Sequence, residues 1–431
     1  MKDLLLDNYK HIHFVGIGGI SMHSLAIYCK QYGKMVSGSD RSKNDYTKKC
    51  KQQGIKVYSS HRRKNILGAD LIVYSSAISF SNVELMQAEI MGVKIVSRAE
   101  FLSSICKNFK CVIGVSGTHG KSTTCAMIYS ILKHAGKKVS CHIGAEFDGG
   151  RLNPYDEYLV LECCEYNHSF LNFECDVAVV LNVDNDHLDC YSNMYNLRNA
   201  FVKFLKQGKA KFKFDCASTK YISLKKVTQV KCPNITRINS FTIDDRKYVL
   251  NNAFGIHNIH NATVAVAVSK HLGISYTNIY KGLKKFVPAK RRCEVLRNIN
   301  GCDIITDYAH HPTEIKALYD SLTDKYKEVY LIFQPHTYSR TQILLKDFVA
   351  TLNMENLIIY KEYPARESKS QGYSAKQLCK NLTSESIYCK NISQLINNLK
   401  QIEFKKDTCI AFVGAGDINK VADKVVKRLK K

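Results

Sequence analysis

Gly114-Val115-Ser116-Gly117-Thr118-His119-Gly120-Lys121-Ser122-Thr123 is the stretch that decides the fold. A short apolar run before it predicts a β-strand over 110–115, and a helical pattern follows from about 122 to 135. A glycine turn between a strand and a helix points backbone N–H groups at anionic oxygens. The usual phosphate-loop pattern has a glycine at the second position of this stretch, where the chain has valine. With these flanks it still predicts a phosphate-binding loop, with Lys121 on the phosphates and Ser122 on Mg²⁺; the alternative is a plain glycine turn.

Outside this loop, the same order of apolar run, polar turn and helical pattern recurs, which predicts parallel β-sheets covered by helices. The predicted strands are 11–15, 34–37, 71–74, 110–115, 158–161, 176–183, 303–306, 329–333, 357–360 and 409–413. A length of 431 residues, at about 150 per domain, predicts roughly three domains. We expect an α/β chain with a Rossmann-like N-terminal domain at 1–108, a central phosphate-loop (P-loop) α/β domain at 109–289 and a C-terminal Rossmann-like α/β domain at 290–431.

The composition excludes several classes of protein. Hydrophobic residues make up 45% of the chain and charged residues 23%, which is typical of globular domains. The 17 cysteines include no C-x-x-C spacing, so we expect free thiols in a reducing compartment rather than disulfides or zinc. The apolar runs are too short for a membrane span, and the first residues lack the pattern of a signal peptide. We therefore expect a soluble, cytoplasmic protein with no membrane partner.

The formal net charge of +25 favours anionic partners such as nucleotide phosphates. The basic residues are spread along the chain, and no segment interleaves them with aromatic residues. We therefore expect no nucleic-acid partner. A P-loop ATPase acting on nucleic acid stays an alternative, and it predicts an affinity that falls steeply with salt.

A second glycine loop, Gly16-Ile17-Gly18-Gly19-Ile20-Ser21, follows the first predicted strand. It resembles the dinucleotide-binding fingerprint, and Asp40 stands at the end of the next strand, where a ribose-binding acid is expected. A serine replaces the third glycine, so the loop predicts binding of a nucleotide pyrophosphate without specifying which. Two alternatives stay open: a tight turn that only packs helix on sheet, and a nicotinamide-dependent dehydrogenase, which leaves the P-loop unexplained.

Two acid-rich clusters follow the predicted strands beside the P-loop. Glu162-Cys163-Cys164-Glu165 follows the strand at 158–161, and Asp184-Asn185-Asp186-His187 follows the strand at 176–183. Because the carboxyl ends of parallel strands share one edge of a sheet, we expect these side chains near the P-loop. A carboxylate and an imidazole facing a nucleotide suit a Mg²⁺ site, although a single acid at a strand end is more often a cap or a surface group.

Polar residues also mark one helix start and four strand ends farther along. Asn258 and Asn261 lie three apart, so they share a helix face, where they are able to contact a base or to cap the helix. The last third of the chain has polar clusters after its strands, at 307–312, 334–340, 363–367 and 414–417. These clusters contain histidine, arginine and aspartate, and they predict one wall of a site.

In their order and spacing, these motifs resemble those of the Mur ligases. The likeness covers nearly the whole chain and is carried by HFVGIGGIS, GSD, SSAI at 75–78, SRAE at 97–100, GTHGKST, NVDNDH, HNIHN, KRRCE, DYAHHPTEI, FQPHTYSRT, YPARE and GAGDI. The resemblance implies three domains. The first binds a UDP-sugar, the second binds ATP, and the third brings in an amino acid and closes over the site.

The resemblance also implies a reaction: ATP drives amide formation between L-alanine and the lactyl carboxylate of UDP-N-acetylmuramate, in cytoplasmic peptidoglycan precursor synthesis. The carboxylate attacks the γ-phosphate to give an acyl phosphate, and the alanine amine then displaces phosphate. ATP and Mg²⁺ are the implied cofactors, and we expect small-molecule substrates and a monomer or weak homodimer. A sibling ligase of the family attaches a whole murein peptide to the same sugar. The segment QPHTYSRT favours alanine as the amino acid, and the murein-peptide activity stays an alternative.

Individual roles are implied position by position. The implied catalytic residues are Lys121, His187, His310 and Arg340. The implied ATP-binding residues are Gly117, Thr118, His119, Gly120, Lys121, Ser122, Thr123, Asn258, Asn261, Arg291 and Arg292. The UDP-sugar is expected at Gly18, Gly19, Asp40, Ser75 and Ser76, the amino acid at His336 and Arg340, and Mg²⁺ at Ser122, Glu162 and His187. Many relatives have arginine where this chain has Thr337, so more of the amino-acid carboxylate binding is expected to fall on Arg340.

Overall fold

The computed structural model describes residues 6–147, 150–186, 188–365, 367–368 and 372–429. They form two compact units: the chain up to Cys232 with His260–Phe286, and Pro233–Ile259 with the chain from Val287 onward. All 17 cysteines are described and are free thiols, as expected. Within the described ranges, no helix is long and apolar enough to cross a membrane.

The first unit opens with a five-stranded sheet in which every strand is parallel. Its strands are β1 (His11–Val15), β2 (Met35–Ser39), β3 (Lys56–Tyr58), β4 (Leu71–Tyr74) and β5 (Lys94–Ser97), in the order β3-β2-β1-β4-β5. Its helices are α1 (Ile20–Gln31), α2 (Asp45–Gln52), α3 (Val83–Ile90) and α4 (Arg98–Cys106). The strand order reverses beside β1, so the glycine loop after β1 lies where doubly wound sheets bind ligands.

The first unit also contains a six-stranded parallel sheet. Its strands are β6 (Cys111–Ser116), β7 (Val139–His142), β8 (Tyr158–Glu162), β9 (Cys175–Val180), β10 (Gly208–Phe214) and β11 (Thr228–Val230), in the order β11-β10-β9-β6-β8-β7. The helices are α5 (Lys121–His134), α6 (Leu188–Tyr191) and α7 (Met194–Gln207). Because β6 lies between β8 and β9, the P-loop after β6 lies between the acid-rich clusters that follow the two neighbouring strands.

Two further helices, α8 (Ile256–His271) and α9 (Tyr276–Lys284), follow these strands in the chain. α9 packs tightly on α5, because Gly282 lets the backbones approach: a Cβ atom there would lie 2.6 Å from the Ile131 Cα. The Ser130 hydroxyl donates to the Gly282 carbonyl at 2.8 Å. This contact fixes the C-terminal half of α5, the helix that begins at the P-loop.

The second unit contains two sheets. The small antiparallel one consists of β12 (Asn234–Arg237), β13 (Ser240–Ile243) and β14 (Arg246–Val249). The large one consists of β15 (Glu294–Ile299), β16 (Cys302–Asp307), β17 (Glu328–Phe333), β18 (Leu357–Tyr360), β19 (Ser386–Cys389) and β20 (Thr408–Val413), in the order β15-β16-β20-β17-β18-β19. The helices are α10 (Pro312–Thr323), α11 (Tyr338–Ile343), α12 (Leu345–Leu352), α13 (Ala375–Asn381), α14 (Ile392–Leu399) and α15 (Ile418–Leu429). Only β15 is antiparallel to its neighbour, so the polar clusters after β16, β17 and β20 share one edge.

The predicted α/β class with parallel sheets is confirmed. The strands predicted at 11–15, 71–74 and 357–360 match β1, β4 and β18 residue for residue. The strand predicted at 176–183 runs instead from Cys175 to Val180, because the residues after it leave the sheet to contact the P-loop. The predicted domain boundaries stay a prediction; the chain passes from the first sheet to the second between the end of α4 and the start of β6.

Candidate active site

The P-loop has the geometry of an anion-binding turn. It joins β6 to α5, and Gly120 caps that helix with a left-handed φ of 83° and no side-chain hydrogen bond. Gly117 has a φ of 136°, and a Cβ atom there would lie 3.0 Å from the Leu181 Cβ. A Cβ atom on Gly120 would collide with Oδ1 of Asn261. Both positions therefore require glycine.

The loop after β9 holds the P-loop from one side. Asn182 accepts a hydrogen bond from the His119 N–H through Oδ1 at 2.8 Å and donates from Nδ2 to the His119 carbonyl at 3.0 Å. The Asp184 N–H donates to the Thr118 hydroxyl at 2.9 Å. The Nε2 of His119 lies 2.9 Å from Oδ2 of Asp184. These contacts fix the path of the P-loop through residues 118 and 119.

Lys121 is largely, but not fully, buried at the base of the loop. Its Nζ donates to the carbonyl oxygens of Gly117 at 2.6 Å and Thr118 at 3.0 Å, and it lies 3.0 Å from Oε2 of Glu165. Burial alone would lower the pKa of this lysine, but the Glu165 carboxylate raises it above the usual range. The Tyr191 hydroxyl donates to the main-chain carbonyl of Glu165 and fixes that residue. Lys121 is therefore a charged ammonium at neutral pH.

The predicted Mg²⁺ ligands Ser122 and Glu162 lie together. The Ser122 hydroxyl donates to Oε2 of Glu162 at 2.7 Å, and the Gly144 N–H donates to the same oxygen at 2.9 Å. A hydroxyl and a carboxylate are the hard oxygen donors that Mg²⁺ prefers, so the chemistry of the pair fits the ion. His187, the third predicted ligand, lies outside the described residues.

The two asparagines of α8 have different surroundings. Asn261 is buried and lies against Gly120 of the P-loop. Asn258 is also buried, and its Nδ2 donates to the Phe254 carbonyl at 2.8 Å, a bond to the chain that precedes the helix. The structure therefore brings Asn261 to the P-loop. The Asn258 amide instead bonds to the main chain near the start of α8, as expected if this residue caps the helix.

The first glycine loop is held by Asp40. The Gly18 N–H donates to Oδ2 of Asp40 at 2.8 Å, and the Ser42 N–H donates to Oδ1 at 2.8 Å. Gly19 caps α1 with no side-chain cap hydrogen bond among the described residues, and Nδ1 of His23 lies 3.3 Å from the Gly19 carbonyl oxygen. The N-terminus of a helix favours an anion.

Ser75 and Ser76 follow β4 at the same sheet edge. Gly16, with a φ of 84°, approaches Ser75 so closely that a Cβ atom there would lie 3.2 Å from the Ser75 Cβ. Ser76 is exposed. The structure thus brings the residues predicted for the UDP-sugar to one edge of the first sheet.

His310, His336 and Arg340 follow β16 and β17 in the second unit. The rings of His310 and His336 lie 6.0 Å apart, and His336 stacks on Tyr363 at 5.7 Å. Burial, and then the charges of His310 and Arg340, lower the pKa of His336 to about 4. His336 is therefore neutral at pH 7, so positive charge for an amino-acid carboxylate has to come from Arg340.

Arg291 and Arg292 both stack on Tyr308, with Cζ atoms 4.8 and 5.2 Å from the ring centre. Nη2 of Arg291 donates to the carbonyls of Gly414 at 2.5 Å and Gly416 at 3.0 Å. The Nε atoms of both arginines are buried and have no hydrogen-bond partner in the described part of the chain. Arg291 thus fixes the loop after β20, and a contact of either arginine with ATP stays a prediction.

Sequence reasoning assigned no role to several residues that shape the site. Glu165 pairs with Lys121, Asn182 and Asp184 hold the P-loop, and Tyr308 supports two arginines. Glu165, Asp184 and Tyr308 stand in the polar clusters that follow β8, β9 and β16. The sequence signal that could have identified these three residues is their position at the end of a strand. Which residue each of them contacts depends on tertiary structure, which the local sequence does not encode.

A strand–glycine-loop–helix unit with a buried lysine, beside a hydroxyl and a carboxylate suited to Mg²⁺, defines a P-loop nucleotide-binding α/β protein. The chain belongs to the Mur ligase family. The model described as Mur ligase family, catalytic domain, matches residues 11–110. The Mur ligase middle domain matches 115–247, and the domain described as Mur ligase, glutamate ligase domain, matches 291–416.

Relatives of known name match the chain almost from end to end. The UDP-N-acetylmuramate–L-alanine ligase of Caldicellulosiruptor bescii is 38% identical over 96% of this chain and 98% of its own. The enzyme of that name from Aquifex aeolicus is 35% identical over 99% of both chains. Among solved structures, the UDP-N-acetylmuramate–alanine ligase MurC of Thermotoga maritima has a TM-score of 0.81 at 26% identity, covering 98% of this chain and 99% of its own. The resemblance read from the motifs is confirmed, and the dehydrogenase alternative has no support.

Proposed function

We propose that this chain joins L-alanine to the lactyl carboxylate of UDP-N-acetylmuramate, using ATP and releasing ADP and phosphate. The observation that carries the proposal is the P-loop, with Lys121 and Ser122 beside Glu162, in a chain that aligns over its length with ligases of that name. A murein peptide ligase from Psychrobacter arcticus has a TM-score of 0.69 at 21% identity, which is a likeness of fold alone. Alanine is therefore the favoured amino acid.

Activation of the carboxylate is the difficult step. A carboxylate is a poor electrophile, and its attack on the γ-phosphate of ATP brings two anions together. One carboxylate oxygen bonds to the γ-phosphorus while the bond to ADP breaks, which gives an acyl phosphate. Lys121 opposes the repulsion: we infer that its ammonium exchanges the Glu165 carboxylate for phosphate oxygens when ATP binds. Fixed charge in a site that excludes water is worth far more than in solution.

Amide formation follows at the activated carbonyl. The alanine amine attacks the acyl carbon, and the tetrahedral adduct expels phosphate as the nitrogen loses a proton. We propose that Arg340 binds the alanine carboxylate and that His336, neutral at pH 7, donates a single hydrogen bond to it. His310, whose ring lies 6.0 Å from that of His336, is the proposed contact to the reacting carboxyl group.

Ser122, Glu162 and His187 are the residues that we propose to hold Mg²⁺. The bound ion supplies positive charge for the phosphate oxygens. The hydrogen bond from Gly144 to Glu162 orients the carboxylate toward Ser122 at the start of α5. Asn261 supports the loop from the side of Gly120.

The proposed substrates are a nucleotide, a UDP-sugar and an amino acid, all of which are soluble in water. We propose a cytoplasmic reaction, with no nucleic-acid or membrane partner. A monomer or a weak homodimer is the form we propose.

Phosphate release from ATP tests the proposed function. We expect release by the purified chain only when UDP-N-acetylmuramate and L-alanine are both present, with the alanyl amide of the UDP-sugar found by mass spectrometry. The same assay with a murein tripeptide in place of alanine distinguishes the proposed activity from that of the murein peptide ligases. Release with ATP alone, or a preference for the tripeptide, contradicts the proposal.

A further inference from the structure

Arg98 is a half-buried cation that lacks an acidic partner. It is the first residue of α4, and its helix start is already capped by Ser97 and Glu100. A guanidinium has five N–H donors. In the described part of the chain, the one hydrogen bond of the Arg98 side chain is a long one, from Nη1 to the Ser21 hydroxyl at 3.4 Å, and no carboxylate lies within 4.0 Å.

The surroundings of Arg98 connect the two glycine loops. Ser21 belongs to the first turn of α1, and its hydroxyl also contacts Nε2 of His142 at 2.8 Å. On the other side, Gly144, two residues after His142, donates to Glu162 at 2.9 Å, and Glu162 bonds to Ser122 at the end of the P-loop. Arg98 therefore lies between the proposed place of the pyrophosphate and the end of the P-loop.

Arg98 is positively charged, whereas the neighbouring imidazole of His142 is neutral. Burial, and then the charges of Arg98 and His23, lower the pKa of His142 to about 3, so that imidazole is neutral. Burial also lowers the pKa of Arg98, opposed by Cys164 and Glu162, but arginine stays charged in proteins. Holding a guanidinium away from water without an ion pair costs free energy, and an anionic ligand repays that cost.

We propose that Arg98 binds the lactyl carboxylate of the UDP-sugar and directs one of its oxygens toward the γ-phosphate. This inference rests on the proposed function and names a contact of the same site. With the pyrophosphate at the start of α1, the lactyl carboxylate has to reach the P-loop in order to attack the γ-phosphate, and Arg98 contacts the first turn of α1 through Ser21. The guanidinium keeps the carboxylate ionised and oriented while the second oxygen stays free to attack.

Calorimetric binding of two UDP-sugars tests this assignment. UDP-N-acetylmuramate has the lactyl carboxylate, whereas UDP-N-acetylglucosamine has the same pyrophosphate without it. For R98M we expect UDP-N-acetylmuramate binding to weaken by about tenfold to a hundredfold, since a hydrogen bond to a charged group contributes about 1.5–3 kcal/mol. Binding of UDP-N-acetylglucosamine and of ATP should be unchanged. R98K, which keeps the charge but loses the planar fork, should weaken UDP-N-acetylmuramate less.

K94M is the matched control, because Lys94 is an exposed cation on the neighbouring β5. It should bind both sugars as the wild type does. Equal weakening of both sugars in R98M, or no weakening, overturns the carboxylate assignment; if R98M does not fold, R98K against wild type gives the same comparison. A wild type that needs both substrates to release phosphate, together with an R98M that binds normally, contradicts this inference alone. A wild type without that activity contradicts the proposed function itself.

Discussion

Nζ of Lys121 lies 3.0 Å from Oε2 of Glu165, and their side chains are 11% and 1% exposed. The cation of the P-loop is therefore paired inside the protein with a carboxylate supplied by the loop after β8. Removing one partner of a buried pair leaves the other without its charge complement, which is costly. A triphosphate is a natural replacement for that carboxylate.

The first prediction concerns Glu165→Gln. We expect the ligand-free variant to lose about 1–3 kcal/mol of stability, because the buried ammonium keeps only weaker partners. Mg·ATP should raise its melting temperature by more than it raises that of the wild type, because the triphosphate supplies the missing negative charge. Differential scanning fluorimetry with and without nucleotide measures both effects.

Glu157→Gln is the control for that experiment, because the Glu157–Lys110 pair is exposed and such pairs contribute little. The melting temperatures of Glu157→Gln, with and without nucleotide, should equal those of the wild type. If the nucleotide-induced shift is the same in Glu165→Gln and the wild type, Lys121 does not exchange one anion for the other.

The second prediction concerns the shape of the P-loop. Gly120→Ala introduces a Cβ atom that collides with Asn261 and strains a φ of 83°, so we expect ATP affinity to fall by at least about tenfold. Gly136→Ala is the matched control, since its φ is 74° and a Cβ atom would meet nothing within 4 Å. The control should lose about 1 kcal/mol of stability and keep its affinity for ATP. Equal affinities in the two variants contradict the loop assignment.

The third prediction concerns the metal. Ser122→Ala removes the hydroxyl that bonds to Glu162, and we expect the Mg²⁺ concentration for half-maximal activity to rise by about tenfold or more. Ser122→Thr keeps the hydroxyl and should behave as the wild type. A titration of phosphate release against Mg²⁺ compares the three proteins. An unchanged Mg²⁺ requirement in the alanine variant removes Ser122 from the site.

The fourth prediction concerns acid stability of the first sheet. Burial alone would raise the pKa of Glu84, but the nearby His13, whose Nε2 lies 3.8 Å from Oε2, and hydrogen bonds from Ser39 and Asn65 lower it from 4.5 to about 2. A carboxyl whose pKa is depressed on folding stabilises the protein above its unfolded pKa, and the effect is lost as pH falls through the folded value. The difference corresponds to roughly 3 kcal/mol at neutral pH.

Thermal unfolding between pH 7 and pH 2 checks this sign. Glu84→Gln should be clearly less stable than the wild type at pH 7, and the two should converge between about pH 4.5 and pH 2. Glu89→Gln, an exposed change on the same helix, should follow the wild type throughout. A constant gap between Glu84→Gln and the wild type contradicts the assignment of the charge to Glu84.

Local sequence was sufficient for the central strands and the P-loop. β1, β4 and β18 are short apolar runs bounded by turn residues, and the helix after Gly120 begins within one residue of its predicted start. The edge strand β3 was missed because it has three residues, none fully buried. The stretch 205–255 contains short β-like runs whose layout the sequence did not define, because the strands of the small antiparallel sheet have four residues each and differ in burial: all of β12 is exposed, whereas Ser240 and Phe241 of β13 are buried.

The sequence predicted those site residues that stand in recognisable motifs, but not the contacts between them. Lys121, Ser122 and Glu162 stand in recognisable motifs, and the structure brings them together. The pairing of Lys121 with Glu165 joins residues 44 positions apart, which no local pattern encodes. Asp40 was predicted from its position after β2, but its hydrogen bond to Gly18 depends on how the loop folds back.

Transfer of oxygen from substrate to phosphate tests the central claim most directly. UDP-N-acetylmuramate labelled with ¹⁸O in its lactyl carboxylate is incubated with ATP, L-alanine and the enzyme, and the released phosphate is analysed by mass spectrometry. We predict that each phosphate carries one ¹⁸O atom, because the carboxylate oxygen bonds to the γ-phosphorus. We also predict that the Lys121→Ala variant forms phosphate more slowly by roughly a hundredfold or more. Phosphate without the label, or a Lys121→Ala variant as fast as the wild type, contradicts the central claim.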